Sequence, residues 1–418
     1  MSETREPFFP LLTRASLPAG LAALRAKLEA AGTLESRPNR HGIYAASASQ
    51  GQDAASGYQN AWLRDNAMVA FARWECGDPE SAWKTARGLG AFLATQASKM
   101  ERIIEKPKRK EDPEARPHVR FDGANLKEIA EPWAHAQNDA LGYAAWLRLR
   151  LANQAGLPLE DSERELYALL PAYFRAIQYW KDADSGAWEE SLKVNSSSVG
   201  AVMAALGELA RYRRAGNPLP GVKEERLSEL IFRGRRTLDE QLPFESPPER
   251  MTDAALLFLI YPLGVVADQA AQHFILSLVR ARLAGPFGVR RYVGDSYFCQ
   301  DYDQWYPPGE RSTAFGGRLA VRDQFLAPGC EAQWCLFDPL LSAIYGAGFL
   351  ERRREDCLEL QLAHANRAIA QLDERARCPE LYFLKEGRYI PNEHTPLAWT
   401  QANLAIALAY LERSVQRL

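Results

Sequence analysis

Residues 185–200, SGAWEESLKVNSSSVG, join a loop carrying an indole and two adjacent carboxylates to the start of a helix. Ser185-Gly186 is turn chemistry, and Asn195 to Ser198 offer side chains that cap the orphan N–H groups of a helix N-terminus. Trp188, Glu189 and Glu190 therefore sit on a loop. The helix beyond it sets Val199, Val202, Met203, Leu206 and Leu209 on one face, the three-and-four spacing of a segment packed on a core. A carboxyl beside an indole loses water, which raises its pKa toward that of a usable general acid. The plainer reading of Trp-Glu-Glu is a solvated loop with one buried Trp, and the rest of the chain decides between the two.

Outward from this stretch the same alternation of helix and loop recurs. Amphipathic or buried helical runs fall at 17–31, 63–76, 79–97, 134–155, 161–180 and 196–214, then at 223–239, 251–260, 267–283, 332–348, 352–373 and 399–415. No sustained period-two pattern stands beside them, so the expectation is an all-α chain of twelve helices with no sheet; the first helix could lie outside any regular array. There is no flexible linker, low-complexity tract or repeat, and residues 1–418 are expected to form one domain. Three loops are long, at 97–133, 284–331 and 378–399. Long structureless loops on a packed scaffold tend to carry function, so the chemistry is expected there.

Composition narrows the class. With 47% hydrophobic and 25% charged residues and a net charge of -2, the chain has no polyelectrolyte character, which argues against a nucleic-acid partner. The charged run KPKRKEDPEAR in the first long loop is nearly balanced and reads as solvated surface. The longest apolar run, 254–267, is broken by Pro262 and too short to span a bilayer, so it is expected as a buried helix with no membrane role. The opening MSETREPFFP lacks the charged-then-apolar pattern of an export signal, and a cytoplasmic setting is expected. Six Cys without a CxxC pair or a His at zinc spacing indicate free thiols, with no metal site and no cofactor. The ten Trp and sixteen Tyr are mostly core, but a few flat amphipathic rings suit sugar faces.

Four further stretches combine aromatic rings with charged groups at loop and helix junctions. In YQNAWLRDNA, from Tyr58, Arg64 and Asp65 adjoin Trp62, and such a pair offers a fork of donors and a pair of acceptors for vicinal hydroxyls, or a surface ion pair. EPWAHAQNDALGY, from Glu131, brings Trp133, His135, Gln137 and Asp139 together, with His135 read as structural. GVRRYVGDSYF, from Gly288, carries Arg291, Tyr292, Asp295 and Tyr297. The last, CPELYFLKEGRYIPNEHTPLAWTQANLAIAL, places Glu380 ahead of a loop that re-enters a helix at Trp399.

Taken together these stretches resemble glycoside hydrolase family 15, the glucoamylase family, and its relatives the phosphorylase kinase alpha and beta subunits. The resemblance runs over most of the chain, roughly from Tyr58 to Leu411. WLRD is similar to the family segment whose Arg and Asp hold the non-reducing sugar, here Arg64 and Asp65. WAHAQNDALG resembles the segment that sets Trp133, Gln137 and Asp139 around that sugar, and VRRYVGDSY the loop that puts Arg291 there. AWEE followed by NSSS resembles the general-acid motif, which implies the acid role for Glu189 and substrate contacts for Trp188 and Glu190. PELY followed by PLAWTQA resembles the general-base segment, which implies that role for Glu380 and brings Trp399 beside it. Trp62 completes the expected substrate contacts.

The fold implied by the resemblance is an (α/α)6 barrel of six inner and six outer helices, with loops at one end forming a pocket. The activity implied is inverting, exo-acting hydrolysis that releases terminal glucose from an α-glucan or short α-glucoside. In such a mechanism Glu189 should carry the raised pKa and Glu380 should stay ionised. The details NSSSVG, GCEAQW and PELY lie nearer the phosphorylase kinase subunits, Gly186 stands where some members have Asp, and Leu381 stands where bacterial hydrolases tend to have Gln. The alternative implied is therefore a non-catalytic sugar-binding or regulatory module on the same barrel, and a third reading is an all-α scaffold for protein partners.

Overall fold

The structure, a computed structural model, describes residues 9–47, 56–130, 133–156, 158–311 and 317–418. In chain order the helices are α1 (Leu17–Ala30), α2 (Leu63–Glu75), α3 (Pro79–Thr95), α4 (Ala97–Glu105), α5 (Asn138–Ala155), α6 (Asp161–Ile177), α7 (Ser196–Arg214) and α8 (Glu224–Gln241). They continue as α9 (Leu257–Ile260), α10 (Gln269–Arg282), α11 (Tyr302–Trp305), α12 (Gly317–Asp323), α13 (Phe337–Arg352), α14 (Glu355–Ala370) and α15 (Ala398–Val415).

Burial sorts these helices into two rings. Helices α5, α7, α13 and α15 are apolar or small on nearly every face and buried along almost their whole length, as a helix is when other helices surround it. With α2 and the short α9 they pack in a closed circuit, α2 on α5, α5 on α7, α7 on α9, α9 on α13, α13 on α15 and α15 back on α2. Around them lie helices with one buried stripe. In α8 that stripe is Leu227, Leu230, Gly234 and Leu238, in α1 it is Leu17, Leu21, Leu24 and Leu28, and α3, α6, α10 and α14 complete the outer ring. Gly142 lets α5 and α7 approach closely, since a Cβ there would stand 2.7 Å from the backbone carbon of Ala201. The result is an all-α toroid of six helical hairpins, in which α1 is not an outlier but packs on α15.

The structure also corrects the reading of the sequence. Among the described residues six short strands are present: β1 (Ala61–Trp62), β2 (Arg120–Asp122) and β3 (Lys127–Glu128) form one sheet, and β4 (Gln333–Trp334), β5 (Leu381–Lys385) and β6 (Arg388–Pro391) another. Most are too short for a period-two pattern to register. The expected buried helix over 254–267 ends at Ile260, because Tyr261 precedes Pro262 and is extended at φ -146° and ψ 130°. The helix expected from residue 134 starts at Asn138, and the first long loop holds α4 and the β2–β3 hairpin. Among the described residues no helix is long and apolar enough to cross a membrane.

Inner helices begin at one end of the toroid, and both sheets lie there. Trp62 is the N-cap of α2 and pairs with Arg120 across β1–β2, which fixes the helix start to the hairpin. Trp334 pairs with Leu381 across β4–β5, and the Cys335 N–H donates to the Glu380 carbonyl at 2.9 Å. The second sheet thereby sets Glu380 beside the start of α13.

Candidate active site

The loop that carries Glu189 is held from below. The Asn195 side chain, expected to cap α7, instead donates to the carbonyl and carboxylate of Asp184 at 3.0 and 2.8 Å and makes no cap bond. Capping comes from Glu245, whose carboxylate accepts from the Ser197 N–H at 3.2 Å and from its hydroxyl. Gly186 stands at φ 62°, where a Cβ would meet the Asn195 amide at 2.8 Å, so a residue larger than glycine would push the loop off its support. A one-turn 3-10 helix over Gly186–Trp188 then ends in Glu189 at φ 60° and ψ 41°, a left-handed conformation that a non-glycine residue keeps only when its surroundings enforce it. The Trp188 indole N–H donates to the Asp253 carboxylate at 2.9 Å, which fixes the ring.

Glu189 points at Arg64, with its Oε1 3.8 Å from Nη1 and without a hydrogen-bond partner. Burial pushes this carboxyl above its ordinary value, with the charges of Arg64 and Arg120 opposing. Arg64 is itself committed from behind: Nε donates to Asp139 at 2.6 Å, and Nη2 donates to Gln137 at 2.7 Å and to Asp139 at 3.2 Å. Its remaining amino group is left for the cavity. Asp65, partly open to that cavity, is raised to about 7 by burial, Arg64 opposing and Glu189 adding.

Opposite lies a second arginine set. Arg291 donates to Asp295 through Nε and Nη2, both at 2.6 Å, and through Nη2 to Glu190 at 3.0 Å. Its guanidinium lies 5.0 Å or less from the ring centres of Tyr297 and Trp334. Glu190 also accepts from Arg322 at 2.7 Å, Arg250 at 2.8 Å and the Tyr292 hydroxyl at 2.5 Å, and Arg291, Arg322 and Arg250 together outweigh burial and hold its carboxyl well below the ordinary range.

Glu380 is 2% exposed. The Tyr58 hydroxyl donates to its Oε1 at 2.7 Å and the Asn392 amide to its Oε2 at 2.6 Å, and among the described residues no cation forms an ion pair with it. Burial raises it to about 8, with the two donors opposing. Against the expectation that Glu380 stays ionised, burial shifts it toward the neutral form, because two neutral donors replace less than the water they exclude.

These elements enclose a cavity of about 740 Å³, its mouth included, whose wall holds both Glu189 and Glu380. Of the expected substrate contacts, Trp62, Arg64, Asp65, Trp133, Trp188, Arg291 and Trp399 line it. Gln137, Asp139 and Glu190 do not: each is buried behind an arginine and spends its oxygens there. They position Arg64, Arg291 and Arg322 and are not placed to touch a ligand. The wall also holds Tyr58, Tyr297, Arg322 and Trp334. Tyr58 and Tyr297 fall within the quoted stretches, whereas Arg322 in GRLAVRD has no local signal that marks it. Glu131, at the head of the second stretch, lies outside the described residues. Away from the cavity, Glu114, His118 and His135 bring ligand-type atoms within 4.8 Å of one another.

An all-α toroid whose helix starts converge on an aromatic pocket with two carboxyls and forked arginines is the architecture of the six-hairpin glycosidases. Residues 21–226 match the model of Glycosyl hydrolases family 15. The chain is 25% identical over 308 residues to a probable phosphorylase b kinase regulatory subunit alpha of Drosophila melanogaster, covering 66% of this chain and 23% of that subunit. The chain thus spans under a third of the length of the curated relatives it matches first. Its fold is similar to a glycosidase solved in complex with glucose, with a TM-score of 0.70, 19% identity and coverage of 96% of this chain and 99% of that one. It is also similar to a bacterial glucoamylase complexed with acarbose, with a TM-score of 0.60, 16% identity and coverage of 89% and 53%.

Proposed function

We propose that residues 1–418 act as one catalytic domain, an inverting, exo-acting glycoside hydrolase that releases terminal glucose from an α-glucan or short α-glucoside. The observation that carries this reading is the presence of Glu189 and Glu380 on the wall of one pocket, Glu380 buried and Glu189 partly open to the cavity, neither in a short ion pair. Glu189 protonates the leaving oxygen and Glu380 takes the proton of the attacking water, which calls for a carboxyl separation of about 6.5 to 9.5 Å. Arg64, Asp65 and Arg291 grip the terminal sugar, and Trp62, Trp133, Trp188 and Trp399 offer it flat faces. The named relatives support the sugar class, one being solved with glucose and one with acarbose. Absence of any disulfide among the six cysteines supports a reducing, cytoplasmic setting.

The test is to incubate the protein with maltose, isomaltose, trehalose, kojibiose and a nitrophenyl glucoside, and to follow the first sugar by proton NMR before mutarotation. β-Glucose supports the assignment, and α-glucose overturns it. Because Glu380 has to ionise to act as base while Glu189 keeps its proton to act as acid, kcat/KM should climb about tenfold per pH unit only until Glu189 begins to ionise, and should fall above about 8. Similarity to the kinase subunit favours a second reading, a sugar-binding regulatory module, which predicts a sugar-induced thermal shift with no glucose released from any of these substrates.

A further inference from the structure

We propose that Glu114, His118 and His135 form a binding site for a divalent ion of the zinc type, which clips the 107–130 segment to the chain carrying Trp133. Glu114 lies on the 3-10 turn Pro113–Ala115, His118 comes two residues before β2, and His135 lies between Trp133 and Gln137. Each offers one ligand atom within 4.8 Å of the other two. The buried part is built for a partner. His135 is 1% exposed and neither ring nitrogen has a hydrogen bond, and His118 is 4% exposed with Nδ1 equally unmatched. An imidazole is not left this way without cost, since each unmatched buried polar group is unfavourable by about 1–3 kcal/mol.

The other nitrogen of His118 supplies an independent pointer. Its Nε2 lies 3.1 Å from Glu128 Oε2, which places the proton there and leaves the unmatched Nδ1 with a free lone pair, the carboxylate–histidine arrangement that orients a metal ligand. Two imidazoles and one carboxylate suit a borderline ion, whereas calcium and magnesium need more oxygen. Lys99 and Arg120 face the same region. Lys99 is paired to Glu128 at 3.1 Å and Arg120 lies 4.0 Å over the Trp133 ring, so with Glu114 and Glu128 the local charge is balanced before an ion enters. At a zinc–nitrogen distance of about 2.0–2.1 Å, tetrahedral ligands stand about 3.4 Å apart. The three groups therefore have to draw in by about 1.4 Å from the 4.8 Å limit, and exposed Glu114 on its turn has the freedom to do so. Closure would fix Trp133 on the cavity wall.

The experiment strips the purified full chain with a chelator, then titrates zinc chloride by calorimetry and cobalt chloride by absorbance. One ion per chain, a zinc-dependent rise in melting temperature and cobalt d–d bands are expected. His135→Ala should abolish binding and Glu114→Gln, on the exposed side, should weaken it at least tenfold. Glu128→Gln should weaken it about 10–100-fold through His118. No saturable binding in the parent overturns the proposal, as does Glu114→Gln binding with the parent's affinity, a readout that holds even if His135→Ala does not fold. None of these readouts depends on glycosidase activity.

Discussion

Replacing Glu380 by Gln should make the protein more stable at neutral pH while removing turnover. The carboxyl moves from an ordinary 4.5 to about 8 on folding, so between those values the native state holds a proton that the unfolded chain releases. A raised folded-state pKa means the contribution is fully present below about 4.5 and is lost as pH rises through about 8. At pH 7 the span is about 2.5 pH units, or about 3 kcal/mol, and above pH 8 it approaches 5 kcal/mol. Gln does not titrate and keeps the shape. Tyr58 can still donate to the amide oxygen, and Asn392 can turn its amide to accept from the new NH2, since its Oδ1 has no partner now. The assay is reversible guanidinium unfolding of parent and Glu380→Gln at whole pH values from 4 to 8. The stability difference should be near zero at pH 4 and grow to about 3 kcal/mol in favour of the variant at pH 7. A difference that is flat with pH, or largest at pH 4, refutes the reasoning, because it would place an ionised carboxylate in the native state throughout.

Glu189→Gln should abolish glucose release while leaving sugar affinity within a few-fold of the parent, as measured by calorimetry with glucose; a variant that still turns over would move the acid elsewhere. Arg64→Ala should weaken sugar binding by about 1.5–3 kcal/mol, roughly 10–100-fold, and a parent-like affinity would remove Arg64 from the sugar contacts. Glu190→Gln should act on stability before binding, because it strips the shared counter-ion from Arg291, Arg322 and Arg250; about 3–5 kcal/mol is the expected loss. Its folded-state pKa is depressed, so this contribution exists above the unfolded value of 4.5 and is lost as pH falls toward the folded value, and the stability gap between parent and variant should be narrower at pH 3 than at pH 7.

The toroid was legible because helices advertise themselves. Buried stripes such as Leu227, Leu230 and Leu238 repeat at a spacing no strand can use, and all twelve expected runs contain helix. What stayed hidden was short. Trp62 and Trp334 each belong to a two-residue strand, and two residues have no period; their partners Arg120 and Leu381 are far along the chain. These pairings nevertheless fix where the cavity begins, so the least readable elements are the ones that set the geometry of the site.

The same division runs through the site. Residues that face the cavity lie in aromatic, charged clusters on loops and at helix starts, and Arg64, Asp65, Trp188 and Arg291 could be picked out on that pattern. Residues that hold them cannot, because a support is defined by what it touches. Asp139 and Glu190 read as further sugar contacts from their neighbours in sequence, yet a forked guanidinium aimed into a dry pocket needs its other nitrogens matched, and these carboxylates match them. Arg322 lies in a stretch with no distinguishing composition, and Asn392 is a neutral amide that nothing sets apart within the last of the quoted stretches; they reach Glu190 and Glu380 across 132 and 12 residues of chain. His118 and His135 show the same limit: neither sits at a local ligand spacing, and only the β2–β3 hairpin folding back beside the start of α5 brings their rings to 3.6 Å. Chemistry that depends on local neighbours is written in the sequence, whereas the pKa of Glu380 and the fixed aim of Arg291 depend on contacts that exist only once the ring of helices has closed.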